Sequence, residues 1–159
     1  MAAKAKAKTP AKAKTPAKAK TPSHKDRQQP ESLRLRSVTP TFTVNDVQLS
    51  LAWYRAGLGF LVAERWEEAG RLQGVMLKAG ACEFGLSQDD FSKGRDRAKG
   101  VGFRLWCNTT QDVDAIAARL RSFGGTIVEE PGDRWDTYSF TAQDPDGFKI
   151  TITKAKSLI

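Results

Sequence analysis

Chemistry at neutral pH draws most often on histidine, paired carboxylates or an activated thiol, so the placement of those residues is the first thing the sequence decides. His24 is the single histidine of the 159-residue chain, and it lies in a lysine-rich leading segment, so the rest of the chain carries no imidazole. Sites for catalytic iron, nickel, manganese or zinc usually use imidazole, often beside a carboxylate; neither this chain nor an identical partner supplies one outside that segment. Cys82 and Cys107 sit in apolar strand-like runs without CxxC spacing. They are therefore expected to be buried, inert thiols rather than a zinc site or a disulfide. The acidic pairs Glu67-Glu68, Asp89-Asp90 and Glu129-Glu130 fall at expected strand ends or loops and are expected to be solvated surface. "GLGF" at Gly57–Phe60 is a helix stop and not a dinucleotide fingerprint. No serine-nucleophile motif, phosphate-binding glycine loop or spaced catalytic carboxylate pair is present, and no catalytic residue is assigned.

What remains are residues suited to holding a molecule. Period-two alternation along Gly102–Asn108 puts Arg104 and Trp106 on the face opposite Phe103, Leu105 and Cys107. In "DPDGFKITIT", Asp144 to Thr153, the same alternation sets Lys149, Thr151 and Thr153 against Phe148, Ile150 and Ile152. Thr39 and Thr41 share that polar face from an earlier strand, with Glu83 on a strand between and Ser139 and Thr141 on a later one. An aromatic ring, a guanidinium and several hydroxyls suit a planar or amphipathic organic ligand. The expected ligand-binding set is Thr39, Thr41, Glu83, Arg104, Trp106 and Thr151, with Trp66 and Trp135 at the rim and Glu83 a candidate partner for Arg104. Trp53 lies on a helix face and is assigned to packing.

These strands and helices come as one script written twice. "TVNDVQLSLAWYRAGLGFLVAE" from Thr43 lays onto "NTTQDVDAIAARLRSFGGTIVEE" at an offset of 66 residues, matching Asp46-Val47 to Asp112-Val113, Gly59 to Gly125 and Glu64 to Glu130. Each copy predicts a strand, an aspartate N-cap and an amphipathic helix. The apolar stripes are Val47, Leu51, Tyr54 and Leu58, then Val113, Ile116, Ala117 and Leu120. Glycines 57, 59, 124 and 125 are candidates for the positive φ of a helix stop. Three strands follow each helix, near 60–67, 71–79 and 81–88, then near 126–130, 136–143 and 148–153. The fold class is α+β: paired βαβββ modules, with amphipathic helices covering one face of the sheets and the other face free.

The leading segment is different in kind. AKAKTP occurs three times from Ala5 to Pro22, and residues 1–22 carry seven lysines and no acid, leaving 19 basic against 18 acidic residues beyond them. Proline every sixth residue blocks a helix, so residues 1–34 are expected to be a disordered basic tail, 35–155 the domain and 156–159 the C-terminal end. Lys4, Lys6, Lys8, Lys12, Lys14, Lys18 and Lys20 suit weak, sequence-blind contact with nucleic-acid phosphates, with a log–log salt slope of about −6 if all seven engage. With no membrane-length apolar run and no apolar leader, the chain is expected to be soluble and cytoplasmic.

The segments "VTPTFTVNDVQLSLAWYRAGLGF" and "DVDAIAARLRSFGG", followed by "DPDGFKITI", make the region from about Val38 to Thr153 resemble the vicinal oxygen chelate superfamily, which includes glyoxalase I, extradiol dioxygenases and bleomycin-resistance proteins. The resemblance implies that the modules form a cup-shaped mixed sheet with helices on the outer face, that the cup holds a ligand, and that the protein pairs into homodimers. It also implies, for metal-dependent members, four cup-facing ligand positions that map here to Thr39, Gly85, Gly102 and Thr151, none of which is a histidine or carboxylate. No metal and no cofactor are expected. The implied function is that of the bleomycin-resistance branch, metal-free binding or sequestration of a small organic ligand. The alternatives are a glyoxalase-type lyase or a dioxygenase with a non-standard site, and a nucleic-acid-associated protein working through its tail.

Overall fold

The computed structural model describes Leu33 and residues 35–156. The seven tail lysines and residues 157–159 lie outside the described residues.

Each module opens on a short strand, β1 (Thr41–Val44) and β5 (Arg104–Asn108), that delivers the chain to an aspartate cap. Asp46 accepts hydrogen bonds from the amides of Gln48 and Leu49, and Asp112 from those of Asp114 and Ala115, which satisfies orphan donors of the first turns of α1 and α2. The second helix, α2, is regular over Val113–Phe123. The first is not: α1 (Val47–Ala52) runs on as a π-helical segment, Trp53–Leu58. The wider turn brings Trp53 into the core beside Tyr54 and buries Gly57 against Leu120 and Phe123.

That π turn corrects the alignment of the two copies. Gly59 (φ 87, ψ 20) and Gly124 (φ 87, ψ 17) close the two helices in the same left-handed conformation. The copies therefore start 66 residues apart at Asp46 and Asp112 but stand 65 apart at their helix stops, the first helix having absorbed one extra residue, as a π-bulge does. Gly57 and Gly125 were also candidates for positive φ, but neither adopts it. Arg119 of α2 reaches across to donate to the carbonyls of Ala56 and Arg55 at 2.8 and 3.0 Å, placing a cation on the carbonyl end of the first helix.

The remaining strands are β2 (Leu61–Glu68), β3 (Arg71–Ala79), β4 (Cys82–Gln88), β6 (Thr126–Arg134), β7 (Thr137–Gln143) and β8 (Lys149–Ala155). They form two four-stranded mixed sheets, ordered β1-β4-β3-β2 and β5-β8-β7-β6, with the opening strand parallel to its neighbour and the other pairs antiparallel. In each sheet the apolar face joins the helices in a common core that includes Phe42, Val75, Leu86, Leu120, Phe140 and Ile150. Phe42 of the first module stacks on Phe148 of the second with ring centroids 4.6 Å apart. This α+β arrangement leaves one face of each sheet outside the helical core, as antiparallel-rich sheets permit.

The DPDG turn locks the modules together. Asp146 accepts hydrogen bonds from the Asn45 amide at 2.9 Å and Ser50 Oγ at 3.3 Å, and Asp144 accepts one from Tyr54 Oη at 3.0 Å in the buried interior. Asp89 is not solvated surface: it pairs with the buried Lys99 amine and with Arg97, and accepts the Phe91 amide. Those partners hold its carboxyl down at about 2, the Lys99 hydrogen bond most strongly. Of the two thiols, Cys107 is half-buried, its pKa pushed up to about 11 by desolvation, whereas Cys82, the first residue of β4, is exposed at the strand's end. Among the described residues no helix is long and apolar enough to cross a membrane.

Candidate functional site

Register places the predicted residues in two groups. Trp106, Thr151, Thr141 and Glu129 line up across β5, β8, β7 and β6 on the face away from the helices. Arg104 pairs with Lys149 two residues along on that face. Thr41 and Glu83 belong to the other sheet, where Thr41 lies opposite Gly85, and Glu83 is exposed opposite Lys78. Thr39 precedes β1 and is exposed.

The centre of the second sheet is a satisfied polar cluster. Arg104 donates to both Glu129 carboxylate oxygens, at 3.1 and 3.5 Å, and not to Glu83, which stands on the other sheet. The Thr141 hydroxyl donates to Glu129 and shares a 2.9 Å hydrogen bond with Thr151. The guanidinium of Arg134 lies 4.0 Å from the same carboxylate. The Thr141 hydroxyl most strongly, then Arg104, holds the Glu129 carboxyl below its ordinary range against a partial desolvation that opposes them. Thr141, Thr151, Ser139 and Thr153 are buried in this face, and among the described residues Thr153 Oγ1 has no hydrogen-bond partner. Trp106 stands at its margin, 50% exposed, with the Arg104 guanidinium carbon 5.9 Å from its ring centre.

Glu129 is the residue that sequence reasoning missed. With the offset reduced to 65 it is the counterpart of Glu64, and both stand beside a register shift at the same place in their sheets, opposite Met76 and Thr141. A one-residue slip exchanges the faces of a strand, and Glu129 was expected, with Glu130, to be solvated surface at a strand end. Glu130 instead pairs with Arg121 at the surface.

The first sheet carries a simpler surface. The Trp66 ring, 46% exposed, lies over Gly74, and a Cβ at Gly85 would come within 3.1 Å of Thr41 Oγ1. The four mapped ligand positions do not suit a metal. Thr39 precedes the strand, Gly85 has no room for a longer side chain without moving Thr41, Gly102 is in a turn at φ 71, and the Thr151 hydroxyl is committed to Thr141. No imidazole or carboxylate is offered, a donor set that does not fit a catalytic divalent ion. Two surface concavities among the described residues lie elsewhere, one of them on the helix side beside Arg55, Arg65 and Arg119.

A helix followed by three antiparallel strands, entered by a strand parallel to the last of them and repeated twice, defines the paired-βαβββ class. The match to the Glyoxalase/Bleomycin resistance protein/Dioxygenase superfamily spans residues 36–152, and the chain belongs to that family. Solved structures agree on the fold. A virulence protein from Salmonella typhimurium is 23% identical at TM-score 0.59, covering 79% of this chain and all of its own. TioX from Micromonospora sp. ML1 is 16% identical at TM-score 0.60, with 77% of this chain and 98% of that one covered. TnmS3, an antibiotic binding protein from Streptomyces sp. CB03234, is 19% identical at TM-score 0.58, covering 77% of this chain and all of its own. No curated protein matches the sequence.

Proposed function

We propose that this protein binds and holds a small organic ligand without breaking a bond, using the outer face of its second sheet. The observation that carries the reading is the half-exposed Trp106 ring beside an Arg104 already oriented by Glu129. A ring fixed next to a positioned cation offers stacking and charge together at little ordering cost. The antibiotic-binding description of TnmS3 supports the same reading, as does a donor set unsuited to metal chemistry. Homodimerisation and a cytoplasmic location belong to this proposal, the latter supported by two unpaired cysteines.

Thermal shift against a panel of aromatic antibiotics and metabolites tests it. A specific compound should raise the melting temperature in step with its concentration, Trp106→Ala should abolish the rise, and chelators should not change it. A panel without any shift, or chelator-sensitive turnover, would overturn the proposal in favour of the enzyme reading.

A second reading rests on the threefold AKAKTP repeat with its seven lysines. Nucleic acid held by that segment should be released on deleting residues 1–22, and its affinity should fall steeply with salt. Binding that survives the deletion unchanged would remove this role.

A further inference from the structure

The β6–β7 hairpin turns through Trp135 and Asp136, and Trp135 is 90% exposed at φ 48. A bulky residue in the left-handed region is a strained outlier, and the first position of such a two-residue loop normally belongs to glycine, asparagine or aspartate. The corresponding hairpin of the first module makes its turn with Ala69 (φ 48) and Gly70 (φ 74). The fold therefore has no need of a ring at this tip, and the ring gains almost no packing in return for its strain.

Three features connect the tip to the polar face described above. Arg134, the residue before Trp135, turns back onto that face towards Glu129 and the Ser139 carbonyl. Between the Trp106 row and the tip lies a row with small side chains, Gly132, Ser139 and Thr153, flanked by Asn108. Thr153, 2% exposed in that row, carries the unpartnered hydroxyl. From the Trp106 row to the tip is about 13 Å along the strands and about 10 Å across them.

We infer that Trp135 is the second aromatic contact for the bound ligand, closing on the far end of a molecule whose near end stacks on Trp106. The inference rests on the ligand-binding reading and narrows it to elongated, planar aromatic anions. Length follows from the separation of the two tryptophans. Negative charge follows from Arg104 and Arg134 both standing at the Glu129 carboxylate, with Lys149 next to Arg104 in register. The row between the two rings carries only small side chains, so no bulky group stands between them.

The test titrates anthraquinone-2-sulfonate and benzenesulfonate, a long and a short ring system with the same head, into the full-length protein and its Trp135→Gly variant by calorimetry. The variant should bind the three-ring probe about ten-fold more weakly and the one-ring probe within about two-fold of normal. Its ligand-free melting temperature should rise by roughly 3 °C as the backbone strain is released. Unchanged three-ring affinity, equal weakening of both probes, or a fall in melting temperature would each overturn the role of Trp135. If Trp106→Ala then still abolishes binding, the site itself stands. Failure of both probes to bind the unaltered protein would remove the ligand reading and this inference with it.

Discussion

Gly100→Ala is expected to destabilise the protein by about 2–5 kcal/mol, the sum of a left-handed penalty of about 1–2 kcal/mol and an overpacking cost of about 1–3 kcal/mol. A large share of an ordinary domain's stability would go with it. Gly100 sits at φ 66, where its missing Cβ lets the chain between the modules press onto the DPDG turn. An added Cβ would strike the Gly147 carbonyl, with its oxygen at 2.5 Å and the Phe148 amide nitrogen also at 2.5 Å. These are backbone atoms, so no side chain can rotate away. The turn cannot retreat either, because Asp144 and Asp146 pin it to the first helix and its approach. Gly94→Ala is the matched control: Gly94 also has a positive φ, 93, but nothing lies within 4 Å of its Cβ position. Urea denaturation should separate the two variants by the overpacking cost alone, about 1–3 kcal/mol. Equal losses would show that backbone conformation, and not close approach, accounts for the glycine.

Neither this contact nor the centre of the second sheet's polar face was legible as a contact in the sequence, although the elements that carry them were. The strands and helices follow from periodicity and caps, which are local properties, and the two aspartate caps and the repeated module order are where the spacing puts them. Gly100 carries no local mark of its role, since its reason is a backbone 47 residues away in sequence. Asp89 read as a surface acid because its partners, Lys99 and Arg97, come from a connecting loop without period. Arg104 was matched to Glu83 when the facing carboxylate is Glu129. Glu129 was read with Glu130 as a surface acid, and the π turn left no mark either, since one extra residue in a helix still keeps an apolar stripe that periodicity reads as regular. Its effect appears only downstream, where the copies slip from an offset of 66 to 65 and the strand faces exchange.

Tyr54→Phe should cost about 2–3 kcal/mol at pH 7.5 and about 1 kcal/mol at pH 5, because the hydrogen bond it removes is made to a charge only at the higher pH. The acceptor, Asp144, is 4% exposed and has no cation beside it; desolvation raises its pKa to about 6, against hydrogen bonds from the Phe148 amide, Tyr54 Oη and the Asp146 amide. The folded pKa lies above the ordinary 3.8, so the folded state binds this proton more tightly than the unfolded chain does. The carboxylate therefore works against folding above pH 6, by roughly 3 kcal/mol for a two-unit shift, and the penalty disappears as pH falls from 6 towards 4. Asp89 acts in the opposite sense and a separate window, its contribution present above about pH 4 and lost as pH falls through about 2. Removing the tyrosine hydroxyl strips the ionised Asp144 of one of its stabilising donors, so the penalty at neutral pH grows while the protonated form loses little. Denaturation of Tyr54→Phe at the two pH values, repeated in an Asp144→Asn background that cannot titrate, measures this directly. The cost of Tyr54→Phe should depend on pH in the first background and not in the second. A pH-independent cost in both would mean that the Tyr54 hydroxyl merely fills space beside a carboxyl that is already neutral.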